Sequence, residues 1–173
     1  MKAEINKEHE WLNKLVGDWT YEAEGTMGPG QPKVRSSGSE SIRSLGGIWI
    51  VADGWGRVPG ENPATMLLTL GYDPQIKKYV GTWIGTTLAY LWVYRGSLKG
   101  NVLTLEAEGP SLTGDGALSK YRDVIEVSDH DTRVMKSHVL DEGGSWRCLV
   151  TSHYRRVRAV STKFGAPRAY SHA

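Results

Sequence analysis

The spacing of apolar residues divides this chain into one helical segment at its start and a long series of strands. Apolar and aromatic side chains first recur about every 3.6 residues, the period of a helix, at Ile5, His9, Leu12 and Val16. Asn6 can cap the amino end of this helix, and Gly17 can end it. From residue 17 onward the period changes to two, which is the period of a β-strand.

Ten strand-like segments follow, separated by turns rich in glycine, proline, aspartate and asparagine. They cover residues 19–24, 34–44, 48–58, 65–72, 79–84, 88–98, 102–108, 120–127, 133–140 and 145–157. The connections are short except for residues 109–119, and short connections join antiparallel neighbours because a parallel pair needs a long crossover. The pattern therefore predicts an all-β fold, a ten-stranded antiparallel up-and-down barrel with a short N-terminal helix. A two-sheet sandwich is the alternative arrangement of the same strands.

Composition and charge fit a globular protein. The chain has 173 residues, of which 39% are hydrophobic and 23% charged, which does not suit a disordered chain. We expect a single barrel domain over residues 1–157 and a basic tail over residues 158–173, which hold three basic and no acidic side chains. Since the net charge is only +2 and the excess lies in this tail, the sequence argues against a nucleic-acid-binding face.

The single cysteine and the length of the uncharged segments bear on the location of the protein. Cys148 has no partner for an internal disulfide, which favours a reducing compartment. The longest uncharged run, residues 79–94, is shorter than the roughly 20 apolar residues that a membrane helix needs. Residues 1–8 do not resemble a signal peptide. We therefore expect a cytoplasmic protein that does not enter a membrane.

Two predicted strands carry apolar residues on both faces, at residues 66–70 and 88–94. A barrel strand needs only one apolar face, so we expect the outer face of these strands to be covered as well. The helix, the tail or a second subunit could provide the cover. We predict a homodimer, because two-fold dimers are the commonest oligomers.

Several motifs carry a resemblance to known barrels. The predicted helix followed by Gly17-Asp18-Trp19 resembles the calycin superfamily, which includes lipocalins and fatty-acid-binding proteins. More specific motifs are similar to those of a bacterial family of small calycin-like proteins, at residues 44–49, 70–74, 81–85, 91–96, 121–123 and 154–156. The resemblance covers residues 8–156 and implies a calycin-like barrel. It implies no catalytic residues, because the function of that family is unassigned.

The resemblance also implies a structural pair at one end of the barrel. In lipocalins, a tryptophan of the first strand packs inside the closed end, and an arginine of the last strand lies across it. This implies a structural role for Trp19, with Arg155 or Arg156 as the cation over its ring. Fatty-acid-binding proteins hold a carboxylate with an Arg-x-Tyr motif on the last strand. Here Ser152 stands two residues before Tyr154, so that motif is absent.

Aromatic residues with a polar edge give the strongest functional signal. Tyr90, Trp92 and Tyr94 share one face of a predicted strand, and Trp83 lies on the preceding strand. Such side chains can line a pocket for an amphipathic molecule, or can simply fill a barrel. We predict non-enzymatic binding of a small amphipathic or aromatic ligand in a barrel cavity, with no cofactor. The predicted ligand-binding residues are Trp49, Asp53, Trp83, Tyr90, Trp92, Tyr121 and Arg155.

Two other classes of function fit the same sequence. A haem-binding protein or an enzyme could use His153 or Asp53, since histidine can ligate iron and a carboxyl group among aromatic rings has a raised pKa. Strict alternation, however, places Cys148 and Tyr154 on the more apolar face of the last strand and His153 on the other face. The third class is a packed, dimeric structural protein. The sequence has no metal-binding spacing of histidines and cysteines.

Overall fold

The computed structural model describes residues 4–26 and 31–158, and within them it shows one helix followed by ten strands. The helical part consists of α1 (Lys7–Leu12) and a 3-10 turn (Asn13–Leu15). The strands are β1 (Gly17–Gly25), β2 (Val34–Leu45), β3 (Trp49–Arg57), β4 (Ala64–Asp73), β5 (Lys78–Gly85), β6 (Leu88–Lys99), β7 (Val102–Pro110), β8 (Leu118–Val127), β9 (Thr132–Leu140) and β10 (Trp146–Arg156).

The ten strands form a closed barrel in which every strand pairs antiparallel with its neighbours in sequence. The first and last strands close the ring, with Trp19 opposite Arg156 and Gly25 opposite Val150. Closure leaves no strand at the edge of a sheet, which protects the backbone polar groups. The prediction of an all-β, ten-stranded antiparallel barrel with a short N-terminal helix is confirmed, and the sandwich is excluded.

Helix α1 covers one end of the barrel, termed the capped end. The side chain of Asn6 accepts hydrogen bonds from the backbone amides of Glu8 and His9 at 3.2 and 3.3 Å, so Asn6 is the N-cap, as predicted. The apolar side of the helix packs on β3 and β4, with Trp11 and Leu12 buried. The helix thereby extends the hydrophobic core beyond the ends of the strands.

Trp19 and Arg156 hold the capped end together. Trp19 is 1% exposed, and its indole Nε1 donates a hydrogen bond to the carbonyl of Leu15 at 2.8 Å. The guanidinium carbon of Arg156 lies 4.2 Å from the centroid of the Trp19 ring. Three backbone carbonyls accept further hydrogen bonds from this guanidinium, those of Lys14, Val16 and His130. Of the two arginines that the resemblance suggested, Arg156 is therefore the one over the ring.

The opposite end of the barrel, termed the open end, has a different interior. Its inward-facing aromatic side chains are only half-buried, and they include Tyr21, Trp83, Trp92 and Tyr121. Near the helix, by contrast, the interior is a cluster of fully buried side chains. Because the rings at the open end point into the barrel and still contact solvent, water reaches the interior there.

The chain continues past β10 into the predicted basic tail. Of that tail, Arg158 contacts the carboxylate of Asp131, and residues 159–173 lie outside the described residues. Within residues 4–26 and 31–158, no helix is long and apolar enough to cross a membrane.

Candidate functional site between strands β6 and β7

Strands β6 and β7 separate at the open end of the barrel. In the described part of the chain, the pairing between them stops at Arg95 and Glu106. Leu88 and residues 92–94 of β6 still pair with β5, and residues 107–110 of β7 still pair with β8. The two strands therefore diverge and leave a slot in the barrel wall.

A groove of about 560 Å³ follows this slot. Its volume lies in the range of pockets that hold small organic molecules. Outward-facing residues form its rim and inward-facing residues its floor, so the groove connects the surface with the interior. The rim consists of Leu91, Val93, Arg95, Glu106, Glu108, Lys120 and Trp146, and the floor of Tyr90, Ala107 and Tyr121.

Three aromatic rings stand at the slot and contact one another. The centroid of the Trp92 ring lies 4.8 Å from that of Tyr121 and 5.3 Å from that of Tyr90, both in edge-to-face geometry. The Tyr90 hydroxyl donates to the backbone carbonyl of Glu108 across the slot at 3.2 Å. The Tyr121 hydroxyl donates to the carbonyl of Pro110. The Tyr90 bond thus ties together two strands whose backbones no longer pair.

Gly109 makes room for the Trp92 ring. A Cβ atom at Gly109 would lie 2.2 Å from a carbon of that ring, far inside van der Waals contact. Gly85 accommodates the ring of Trp83 in the same way, at 2.6 Å. The indole Nε1 of Trp92 is buried, and no acceptor among the described residues reaches it. A bound molecule with an acceptor atom could supply the missing hydrogen bond.

A buried ion pair lies toward the capped end of the interior. The guanidinium of Arg133 contacts the carboxylate of Glu40, and the two side chains are 3% and 12% exposed. Arg133 also lies over the rings of Tyr154 and Trp19, at 3.9 and 4.8 Å from their centroids. Burial and the Glu40 charge raise the pKa of Tyr154, so its hydroxyl stays protonated. Since Glu40 neutralises it, Arg133 offers no free charge to a ligand.

A second polar cluster surrounds Asp123. Its two carboxylate oxygens accept hydrogen bonds from the hydroxyls of Tyr94 and Ser137, each at 2.6 Å. Burial raises the pKa of Asp123, and these two hydrogen bonds oppose the rise. Burial and the Asp123 charge also raise the pKa of Tyr94 well above its usual range. Asp123 as a whole is partly exposed to solvent, whereas its carboxyl group is surrounded by protein.

Four of the seven predicted ligand-binding residues face the interior at the open end. Trp83 and Trp92 stand opposite each other in the pairing of β5 with β6. Tyr90 and Tyr121 belong to the floor of the groove. The structure therefore brings these four residues together around the slot.

The other three predicted residues face outward, so their expected interior position was wrong. On β3, Ile50 and Ala52 fill the core, and the alternation turns Trp49 and Asp53 to the surface. Trp49 is 39% exposed. Arg155 on β10 is exposed as well. These three side chains cannot contact a ligand held inside the barrel.

Two histidines of neighbouring strands, His138 on β9 and the predicted candidate His153 on β10, also lie on the outer face. His153 is exposed, and the Nδ1 of His138 lies 3.4 Å from the backbone carbonyl of Arg122. Across residues 4–26 and 31–158, no group of three or more histidine, cysteine, aspartate or glutamate side chains could hold a metal ion. The haem-binding and enzyme alternatives need His153 or Asp53 in the interior of the barrel. In the described part of the chain, both side chains are exposed on the outer face.

A β-bulge in β10 brings an unexpected residue inside. Between Cys148 and Val150 the register with β9 shifts by one residue. Strict alternation from Tyr154 places Cys148 inside, but the bulge turns Cys148 to the exposed face and turns Arg147 inward, opposite Val139. Sequence reasoning missed Arg147, because no glycine or proline marks the bulge.

The fold and the site together define a ten-stranded antiparallel barrel, capped by a helix at one end and opened by a slot at the other. A family model described as "Protein of unknown function (DUF1579)" matches residues 4–156. The chain belongs to this family. Among curated proteins no match was found.

Solved structures share the fold. The crystal structure of Rv2717c from M. tuberculosis matches with a TM-score of 0.62 and 14% sequence identity, over 90% of this chain and all of that one. The S-type phycobiliprotein lyase CPES from Guillardia theta matches with a TM-score of 0.55 and 14% identity, over 88% of this chain and 92% of that one. At these identities the likeness establishes the fold alone. The calycin relationship that the sequence motifs imply stays a prediction.

Proposed function

We propose that this protein binds a small amphipathic or aromatic molecule, without covalent chemistry, in the open end of the barrel interior. The observation that carries the proposal is the slot between β6 and β7, which opens where Tyr90, Trp92 and Tyr121 face inward. A molecule can reach these rings from solvent through the slot. This role requires no catalytic group.

The rings around the slot offer apolar surface that is still in contact with water. Trp92 and Tyr121 are half-buried although they face the interior. A flat ligand lying against both rings would remove water from them, at about 25 cal/mol for each Å² of apolar surface buried. The lost freedom of the ligand offsets part of this gain, so we expect a dissociation constant on the order of 10 µM for a fused-ring molecule.

A fluorescence titration with N-phenylnaphthylamine, a neutral aromatic probe that brightens in apolar surroundings, tests the proposal. Wild-type protein should bind the probe saturably. Trp92→Leu removes a ring at the slot and should weaken binding by about tenfold or more, since aromatic pairs and their buried area dominate such sites. Trp55→Leu is the matched control, because Trp55 is 41% exposed on the outer face, and it should bind as wild type.

Native mass spectrometry provides a second measurement of the same complex, with a stoichiometry of one probe per chain. Two outcomes contradict the proposal. One is the absence of saturable binding by the wild-type protein, and the other is an equal loss of affinity in the Trp92→Leu and Trp55→Leu variants.

A homodimer in the cytoplasm is the proposed setting of this function. Leu91 and Val93 lie on the outer face of β6 and are 55% and 56% exposed, which supports an additional partner for this strand. Size-exclusion chromatography with light scattering distinguishes a monomer from a dimer of twice its mass, and a monomer at all concentrations contradicts the proposal.

A further inference from the structure

The inward-facing arginine at the open end has no partner of opposite charge. Arg147 faces inward because of the bulge in β10, and its Nη1 is buried with no acceptor among the described residues. No carboxylate of these residues pairs with it. Residues 1–3, 27–30 and 159–173, which lie outside the description, contain no aspartate or glutamate. No acidic side chain of this chain therefore neutralises Arg147.

Two other inward-facing arginines show how this barrel satisfies a cation in its interior. Arg133 pairs with Glu40 and lies over two aromatic rings. Arg156 donates hydrogen bonds to three backbone carbonyls and lies over Trp19. A charge inside a protein costs free energy unless it is paired and hydrogen-bonded. Arg147, for which the described residues provide neither kind of partner, is thus suited to hold an anion from outside.

The surroundings of Arg147 connect it with the slot. Tyr121, Val139 and Arg147 form one row across β8, β9 and β10 on the inner face. Burial raises the pKa of Tyr121 and the Arg147 charge lowers it, which reflects their proximity. The Tyr121 ring contacts Trp92 on its other side, 4.8 Å away. In the order of the strands, Trp92 on β6 and Arg147 on β10 thus lie on opposite sides of Tyr121 on β8.

The unsatisfied polar atoms of this region are all hydrogen-bond donors. Among the described residues, the two that face the interior here are the Nε1 of Trp92 and the Nη1 of Arg147, and a third, the Nε of Arg122, lies on the outer face beside Trp146. The Tyr121 hydroxyl does not satisfy either of them, because it is bonded to the carbonyl of Pro110. Buried donors without acceptors are rare in native proteins, so a ligand that fills this region should bring acceptor oxygens.

We infer that the ligand of this barrel is an amphipathic organic anion, whose acidic group is held by the Arg147 guanidinium and whose apolar part lies against Trp92 and Tyr121. The inference rests on the proposed function and adds the charge of the ligand to it. A guanidinium group suits an acidic oxygen pair, such as that of a carboxylate, because it donates two parallel hydrogen bonds.

Two fluorescent probes that differ by one charge test this inference. Anilinonaphthalene sulfonate has the aromatic skeleton of N-phenylnaphthylamine plus a sulfonate group. Wild-type protein should bind the sulfonate about tenfold more tightly than the neutral probe, the effect of one charge-assisted hydrogen bond. Arg147→Gln should abolish this preference and leave the affinity for the neutral probe unchanged. Arg155→Gln is the matched control, because Arg155 is exposed on the outer face of the same strand, and it should keep the preference.

The outcomes separate this inference from the proposed function. If neither probe binds, the proposed function itself fails. If both bind with equal affinity, or if Arg147→Gln keeps the preference for the sulfonate, the function stands and the anionic ligand is overturned. Circular dichroism and thermal unfolding establish that each variant folds. Should Arg147→Gln not fold, Arg147→Met replaces it, because methionine is also neutral: a selective loss of sulfonate affinity supports the inference, and an unchanged affinity overturns it.

Discussion

Replacement of Glu40 by glutamine should destabilise the barrel strongly, because it leaves the Arg133 guanidinium buried without a counter-charge. Both side chains of this ion pair are almost completely enclosed. Removal of one member of a buried pair costs about 3–5 kcal/mol, since the remaining charge stays out of water without compensation. Because glutamine has nearly the shape of glutamate, the loss of stability measures the effect of the missing charge and not that of a cavity.

The contacts of Arg133 place the expected loss at the upper end of that range. Its guanidinium is held over Tyr154 and Trp19, so it cannot turn toward solvent without leaving both rings. Its Nε already lacks an acceptor among the described residues. In a domain of this size, 1 kcal/mol corresponds to about 2–4 °C in the unfolding midpoint, so a loss of about 5 kcal/mol should lower the midpoint by about 10–20 °C.

Urea unfolding followed by tryptophan fluorescence measures this effect, and a double-mutant cycle isolates it. Glu40→Gln and Arg133→Met should each destabilise the protein. The double variant should cost clearly less than the sum, because it removes both buried charges. Glu24→Gln is the matched control, since Glu24 forms exposed ion pairs with Lys33 and Arg35, and it should change the free energy of unfolding by less than about 1 kcal/mol.

A loss below about 1 kcal/mol for Glu40→Gln would refute this reasoning, because exposed ion pairs have that magnitude. Strict additivity in the double variant would refute it as well. Either result would mean that water reaches Arg133 at the capped side of the interior.

Three further predictions test the bulge, the slot and the interior carboxyl group. The Cys148 thiol should react with Ellman's reagent in the folded protein as fast as in urea, since the bulge exposes it, and protection from the reagent would contradict the bulge. Gly109→Ala drives a Cβ atom into the Trp92 ring and should destabilise the protein by about 1–3 kcal/mol and weaken N-phenylnaphthylamine binding, whereas Gly143→Ala, with ordinary contacts, should do neither. Because burial raises the folded-state pKa of Asp123, the stability that its carboxyl group contributes is present below its usual pKa and is lost as the pH rises through the folded-state pKa. The free energy of unfolding of wild type minus that of Asp123→Asn should therefore decrease from acidic to neutral pH in urea titrations, and an increase would contradict the shift.

The capped end of the barrel follows from the sequence because its signals are local. Asn6 directly precedes helix α1 and caps it. Trp19 begins the first alternating segment and belongs to the cluster of buried side chains. This position allows strand β1 only the orientation in which the Trp19 face points into the barrel. When one face of a strand is much more apolar than the other, alternation alone decides which side chains point inward.

The orientation of β3 does not follow in this way, because both of its faces carry large or apolar residues. Trp49 and Asp53 share their face with Trp55, which makes that face look like an interior one. In the structure, the inward positions of β3 toward the open end are Gly54 and Gly56, which make room for side chains from other strands. A Cβ atom at Gly56, for instance, would lie 2.4 Å from the hydroxyl of Tyr21. Such complementarity between strands depends on register, which composition does not encode.

The slot and the bulge depend on pairing between strands in the same way. Nothing in residues 88–94 or 107–110 marks the end of their pairing, and nothing near Cys148 marks the shift in register. The sequence could therefore name Trp92 and Tyr121 as aromatic candidates. It could not place them at an opening in the wall, nor bring Arg147 to their side.

The two irregularities lie at the same end of the barrel, and this position has a physical consequence. Regular pairing of β6 with β7 would add backbone hydrogen bonds, each with a net value of about 0.5–1.5 kcal/mol, but it would close the slot over Trp92. A regular β10 would turn Arg147 outward and leave no arginine on the inner face in the row of Tyr121. The open end thus lacks stability that regular strands would supply. At the capped end, Trp19 is enclosed and each guanidinium nitrogen of Arg156 donates a hydrogen bond, and these contacts offset the loss. Substitutions at the capped end should therefore change the free energy of unfolding, while substitutions of Trp92 and Arg147 should change binding.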